Sequence, residues 1–461
     1  MHSSASITIL VLSHSIQQIT QKLETRARVL AARRGSTTGI GSHSRYQITY
    51  EENCMHKPDL PRSTRQAFGQ LLTLASVLAC VAIAFSPIAV RAQCVSITSY
   101  GGSGNGTTNN SPALTSAFAA LPAGGGCISF PAGSFMFSSP VTLSYPAGGG
   151  VFSLTLAGSG QDSTTLSWAA SNGIIINTTA SRQTVHVRDM TFGTSSAGGY
   201  TALQINNSLP MGIVTASDIS HVYFRGNDGG QETEYWGIGI DDVGLPDMYF
   251  DTDTFVGPSG IPGGGIAISL NGNSNVSPNW AVIFDISKCG FFQVNIGLQI
   301  GNYIQGVAVT QSNFTGGTNG IVAEPLTANG GLSELAITGG NQFNTFGDQI
   351  SIQQPMQNVI LNGNLLFIRP GYSGVAFVAS GTSFQNSFVN NVFQGLPGGG
   401  TGIYVGAHDT ASVVTGNVFD SLDQGMNLQY ASGWNVLGNN YTSVTLNVAN
   451  PGSNSVGVAT P

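Results

Sequence analysis

Asn341-Gln-Phe343, Asn364-Leu-Leu-Phe367, Asn391-Val-Phe393, Asn417-Val-Phe419 and Asn439-Asn-Tyr441 repeat one phrase, and Asn313-Phe314 starts the series. The aromatic positions are 29, 24, 26, 26 and 22 residues apart. A second phrase, Gly before alternating apolar residues, follows most of them: Gly320-Ile-Val-Ala, Gly374-Val-Ala-Phe-Val, Gly402-Ile-Tyr-Val and Gly425-Met-Asn-Leu. A period of this length marks a solenoid, propeller or array. Each repeat holds two stretches of period-2 apolar alternation between Gly and Asn turns, without helical periodicity.

One turn of a parallel β-helix requires that pattern. Its strands point alternate side chains in and out, and each coil pairs its backbone with the next at about 4.8 Å. Equivalent positions then stack into columns. The Phe column is expected to line the interior. The Asn column is expected to bond its neighbours and the backbone at a bend, where Asn tolerates the left-handed conformation. The chain therefore reads as all-β, a right-handed parallel β-helix of about eleven coils, with an N-terminal capping helix. A length of 461 residues suits a solenoid, which extends without splitting into domains. The 62 Gly, 8% charged and 41% apolar residues fit many tight turns and argue against disorder.

Residues 66–90 hold the only long apolar run. Lys57, Arg62 and Arg65 precede it, and Val90-Arg91-Ala92 before Gln93 supplies a small-residue cleavage site. This reads as a secretory signal peptide over 55–92. Translation is expected to start at Met55, with 1–54 a non-native extension and 93–461 the exported β-helix domain. The product would be secreted, periplasmic or at the cell surface. From Gln93 onward there are five basic and 18 acidic residues, a net charge of 5 − 18 = −13. That excludes nucleic acid or an anionic membrane as the partner. Cys94 and Cys127 are expected to bridge, leaving Cys289 free and buried.

Residues 93–160 read as the N-terminal cap and first coils. Ser111-Pro112 starts a helix, with Ala113, Leu114, Ala117, Phe118 and Leu121 on one face and Pro122 as the stop. Ser99-Tyr-Gly-Gly-Ser-Gly-Asn-Gly106, this helix, Phe130-Pro-Ala-Gly133 and Leu156-Ala-Gly-Ser-Gly160 resemble the opening of the pectate lyase superfamily. That group holds right-handed β-helices, among them rhamnogalacturonase-like, polygalacturonase-like and tailspike proteins. The resemblance implies the fold and a polysaccharide partner. Asn109 and Asn110 stand where the family usually has acids. The paired-Asp strand, Gly-His-Gly and Arg-Ile-Lys motifs of the polygalacturonase-like members are absent; Gly263-Gly-Gly265-Ile-Ala-Ile268 stands at the most similar strand.

Nine of the 18 acids fall between Asp218 and Asp253, and Asp285 follows. Loops at 226–236 and 257–279 and their borders add aromatics, including Trp236 and, just after the second loop, Trp280. Phe192, Phe224, Phe255 and Phe291 give the register of these coils. Five residues earlier stand Val187, Ile219, Phe250 and Ile286, facing in. One outward column is then His186, Asp218, Tyr249 and Asp285; the next is Arg188, Ser220, Asp251 and Ser287. Asp218 and Asp251 would have Cα atoms roughly 8 Å apart, and Asp218 and Asp285 roughly 10 Å. Inverting glycoside hydrolysis uses two carboxyls about 6.5–9.5 Å apart. The expected roles are Asp251 as acid, Asp218 as base and Asp285 as a supporting charge. His186, Arg188, Tyr249, Trp236, Asp241 and Asp242 would contact substrate. Lys288 or Arg225 could serve as a lyase base. No metal site or cofactor is expected, except Ca²⁺ if the chain is a lyase. A non-catalytic, glycan-binding adhesin is the competing class, and an oligomer is compatible with the sequence.

Overall fold

The computed structural model describes residues 94–457, apart from 148–149, 180–181, 209–214, 261–262, 274–279, 326–333 and 379–382. The expected signal peptide over 55–92 and the expected 1–54 extension fall outside the described residues. Among the described residues every strand pairing is parallel. The strands form a 25-stranded sheet, a 12-stranded sheet and a three-stranded sheet. Pairing always joins strands one coil apart, as in Phe291 beside Phe314 and Phe314 beside Phe343. The chain thus winds as a right-handed parallel β-helix, with twelve coils along the second sheet.

The two sequence phrases form one packing device. Phe224, Phe255, Phe291, Phe314 and Phe343 stack face to face at 4.4–5.4 Å between neighbouring centroids, and Phe393, Phe419 and Tyr441 continue at 4.9 and 5.2 Å. Most of these rings lean on a glycine of the second sheet: Gly239, Gly297, Gly320, Gly374, Gly402 and Gly425 meet Phe255, Phe314, Phe343, Phe393, Phe419 and Tyr441. A Cβ at Gly320 would lie 2.6 Å from the Phe343 ring, and one at Gly402 would lie 2.6 Å from Phe419. At Gly320 and Gly402 only glycine leaves room, while equivalent positions in the earlier coils hold Ala202 and Ala267. One sequence assignment shifts: Leu366, not Phe367, occupies the column between Phe343 and Phe393. Phe367 follows the buried Leu366 in strict alternation and so points the other way.

The Asn column also forms, with its chemistry divided differently from expectation. The left-handed residue of each bend is the one before the Asn: Gly340, Gly363, Asn390, Gly416 and Gly438. The Asn itself is buried and supplies bonds. Asn391 Nδ2 donates to Asn417 Oδ1 at 3.0 Å and to the Leu361 carbonyl at 3.0 Å. Its Oδ1 accepts Asn364 N–H and Nδ2 at 3.0 and 2.9 Å. Asn341, Asn364, Asn417 and Asn439 continue this ladder. Beside it, on the three-stranded sheet, buried Asp409 accepts Ser412 Oγ at 2.6 Å and Trp434 Nε1 at 2.8 Å, as well as Asn386 Nδ2. Burial nevertheless pushes its carboxyl up to about 6.

At the N-terminal end the helix spans Ser111–Ala119, and Ala113, Leu114 and Ala117 enter the core. Its N-cap residue is Asn110 rather than Ser111. The Asn110 amide instead ties Ser103, Thr108 and Met136 together, while Asn109 Oδ1 accepts the Ser111 N–H at 3.1 Å. Cys94 and Cys127 form a disulfide, and Cys289 is free and buried. Among the described residues no helix is long and apolar enough to cross a membrane.

Candidate active site

The strands Gln183–Thr194, Ser217–Gly226, Met248–Asp251 and Ala281–Ser287 lie side by side in the large sheet. Asp218 pairs with His186 on one side and Tyr249 on the other, and Tyr249 pairs with Asp285. Ser220 pairs with Arg188 and Asp251, and Asp251 with Ser287. Val187, Ile219, Phe250 and Ile286 between them are fully buried. Alternation therefore turns the two acidic columns outward. Asp251 stands diagonally between Asp218 and Asp285, with Cα separations of about 8 Å to each; Asp218 and Asp285 are about 10 Å apart.

The three carboxyls have different surroundings. His186 Nδ1 meets Asp218 Oδ1, and His186 Nε2 lies 3.1 Å from Thr184 Oγ1. Ser220 Oγ donates to Asp218 Oδ2 at 3.3 Å. Partial burial pushes the Asp218 carboxyl up, but the His186 hydrogen bond and charge, the Ser220 hydroxyl and the Arg188 charge outweigh it and leave it below the usual range. Asp251 Oδ1 sits 3.4 Å from Lys288 Nζ, in a pair about half exposed on both sides, and Asp251 Oδ2 accepts the Thr252 hydroxyl. Asp285 is pushed up, first by burial and then by the charge of Asp251, and its Oδ1 has no partner among the described residues. Tyr249 is exposed between Asp218 and Asp285, its hydroxyl raised by the hydrogen bond and charge of Asp247 before burial and Asp285 add to the shift.

Three of the expected substrate contacts are elsewhere. Trp236 is buried, donating Nε1 to the Phe192 carbonyl at 3.0 Å and meeting Trp168 edge-on. An indole this large is worth more to the core than to a loop surface. Asp241 and Asp242 lie on Ile238–Val243 in the second sheet, not beside Asp218. Asp242 points inward and accepts the Leu245 N–H at 3.0 Å, closing its own turn. In the 226–236 loop, Asp228 accepts the backbone N–H of Gly230, Thr233 and Glu234, and those bonds hold its carboxyl at about 2. Lys288 is paired as above, and the Arg225 guanidinium stacks 5.1 Å from the Tyr223 ring. Among the described residues no group of three or more His, Cys, Asp or Glu side chains could hold a metal ion.

One acid of the cluster went unassigned in the sequence. Asp253 is fully buried one bend beyond Asp251, two residues before Phe255, the spacing of Asn391 before Phe393. Its Oδ1 accepts the Val222 N–H at 2.8 Å, as Asn341 Oδ1 accepts Ser312 N–H. Its Oδ2 occupies the position of an Asn amide nitrogen and has no partner among the described residues. Burial pushes this carboxyl far up, opposed by the Val222 N–H and reinforced by Asp251 and Asp218. Because the folded carboxyl is raised, its ionisation penalises the fold at neutral pH, and the penalty fades as the pH falls towards the unfolded value. Asp253→Asn is expected to stabilise the protein at pH 7 by about 1–3 kcal/mol. The gain should shrink on acidification, as compared in melting curves at neutral and acid pH.

The fold was compared with known structures. The A-module of the Azotobacter vinelandii mannuronan C-5 epimerase AlgE4 superposes with a TM-score of 0.53 at 14% identity, over 79% of this chain and 100% of that one. The chain has the parallel β-helix fold. Tailspike protein 3 of bacteriophage CBA120 follows at a TM-score of 0.46 and 13% identity, over 77% of this chain and 59% of that one. An exopolygalacturonase of Thermotoga maritima follows at 0.40 and 10%, over 75% and 91%. No family model matches the chain, and no curated protein does. The fold implied by the opening resemblance is the fold found, and at these identities the likeness reaches no further than fold.

Proposed function

We propose that this parallel β-helix is an exported polysaccharide hydrolase acting with inversion at the Asp218, Asp251 and Asp285 cluster. The observation that carries the reading is a register-fixed set of outward carboxyls with opposed environments: Asp218 held down, Asp285 pushed up. Two carboxyls held in opposed environments are suited to one base and one acid, and a Cα separation of about 10 Å suits inversion over retention, whose carboxyls stand about 5–5.5 Å apart. Asp218 is the base that takes a proton from water, its carboxylate oriented by His186 and Ser220. Asp285, rather than Asp251, is the acid that protonates the departing glycosidic oxygen. Asp251, already engaged by Lys288, supplies the charge that keeps the Asp285 proton in place. The polysaccharide class is supported by the β-helix fold shared with the epimerase module, and export by the Cys94–Cys127 disulfide.

The test is anomeric product analysis by NMR over a glycan panel, with reducing-end release followed against pH. The first-formed product should carry the inverted anomer. Activity should be lost at the acid end as Asp218 is protonated and at the alkaline end as Asp285 loses its proton, giving an optimum on the acid side of neutrality. Unsaturated product would sink hydrolysis in favour of a lyase. Binding with no product of either kind would leave the adhesin class.

A further inference from the structure

We propose that the polysaccharide taken by this cluster is a neutral glycan, whose chain continues past Asp285 over two uncharged outward columns of the C-terminal coils. The proposal rests on the cluster being a polysaccharide site and names its substrate class.

The outward column that carries His186, Asp218, Tyr249 and Asp285 does not end there. Strand register continues it through Ala308, Ala336, Ile360, Ser387 and Val413. The column beside it runs from Ser287 through Thr310 and Thr338 to Thr415 and Leu437. No charged residue stands in either column beyond Asp285. Ile360, Val413 and Leu437 are 40%, 38% and 47% exposed, although each sits in a well-formed strand where a polar side chain would serve the fold equally. Ile360 and Val413 stand in the first column two coils apart, and Leu437 stands in the second column one coil beyond Val413. The bends change at the same boundary. In the cluster coils the left-handed position carries His221, Thr252 and Lys288, whereas in the later coils it carries only uncharged residues, Gln311, Gly340, Gly363, Asn390, Gly416 and Gly438.

Charge decides the class of sugar. A polyuronate brings one carboxylate per residue and needs cations at matching intervals. From Cys289 to the C-terminus the chain has six acids and one base, a net charge of 1 − 6 = −5. That base, Arg369, is already committed: its guanidinium lies 3.8 Å from the Phe346 ring and its Nε donates to the Thr345 carbonyl. A polyanion laid along this face would meet repulsion without compensation. A neutral pyranose chain presents C–H faces to Ile360, Val413 and Leu437 and hydroxyls to the Ser and Thr between them. The coil rise of about 4.8 Å is close to the length of one hexose in an extended chain, so similar contacts can recur from sugar to sugar. A second copy of this chain is the other occupant such a face could take, and the experiment separates the two.

The experiment is affinity electrophoresis of the wild-type chain and of Asp218→Asn. The gels contain mixed-linkage β-glucan, galactomannan or a soluble α-glucan on one side, and polygalacturonate or alginate on the other. At least one neutral gel should retard both proteins, and neither polyuronate should. Ile360→Asp with Val413→Asp should weaken the neutral binding at least tenfold while the melting temperature and circular dichroism stay unchanged. Ser387→Asp serves the same purpose if the double variant does not fold. The proposal is overturned by retardation in polyuronate alone, by no retardation in any gel, or by neutral binding that survives both variants. It is equally overturned if sedimentation detects self-association that the double variant abolishes. Neutral binding without reducing-end release would instead remove the hydrolytic reading and leave this one standing.

Discussion

Asp218→Asn is expected to lower glycan hydrolysis by about 10²–10⁴-fold, the usual contribution of a positioned base. The loss should fall on kcat with little change in KM, because Asp218 acts on the water rather than on the sugar. Its side chain is 41% exposed and its neighbours Ile219 and Val187 stay buried, so the fold should be untouched. Asp285→Asn should cost a similar factor on substrates with poor leaving groups and much less on aryl glycosides, whose leaving groups need no proton. Asp251→Asn should act mainly by shifting the alkaline limb of the pH profile downward, since its charge helps to hold the Asp285 proton. Kinetics of the three variants on one natural and one activated substrate check all of this. Equal losses on both substrates for Asp285→Asn would contradict its role as the acid.

Asn391→Leu is expected to be strongly destabilising in the C-terminal coils, at about 2–6 kcal/mol. Leucine matches the volume but strands two buried groups, the Asn364 N–H and the Leu361 carbonyl, while Asn417 Oδ1 loses one donor and keeps the Asn391 N–H. Each orphan costs about 1–3 kcal/mol. Since a solenoid couples mainly nearest neighbours, the damage should concentrate in adjacent coils. Hydrogen exchange should reveal faster opening of Leu365–Ile368 and Val418–Asp420 while Ser217–Gly226 keeps its protection. Uniform loosening of every coil would mean that the ladder is not the local clamp described above.

Much of the fold was legible because its signal is periodic. The Phe phrase set the register, and one set of inward positions then forced the outward columns of His186, Asp218, Tyr249 and Asp285 without further assumption. Errors arose where the period failed. Phe367 drew the eye because it is aromatic, yet the spacing from Asn364 selects Leu366. Trp236, Asp241 and Asp242 follow a loop, and no count along a loop says which sheet the chain rejoins or which face it turns inward. Asp253 was readable in principle. Asp253-Thr-Phe255 has the spacing of Asn391-Val-Phe393, and the ladder position makes its burial a consequence of register. What sequence spacing could not supply is the contrast between Asp218 and Asp285, which depends on His186 and Ser220 reaching one carboxyl and leaving the other alone.

The pairing of an aromatic ring with a glycine on the opposite wall, seen in six of the coils, ties the two halves of such a coil together. A ring without its gap collides, and a gap without its ring is a void. Lengthening or shortening the stack is therefore workable only in whole turns of the chain, each inserted with both halves. Such an exchange would alter the reach of the C-terminal face while leaving the acids around Asp218 in their original alignment.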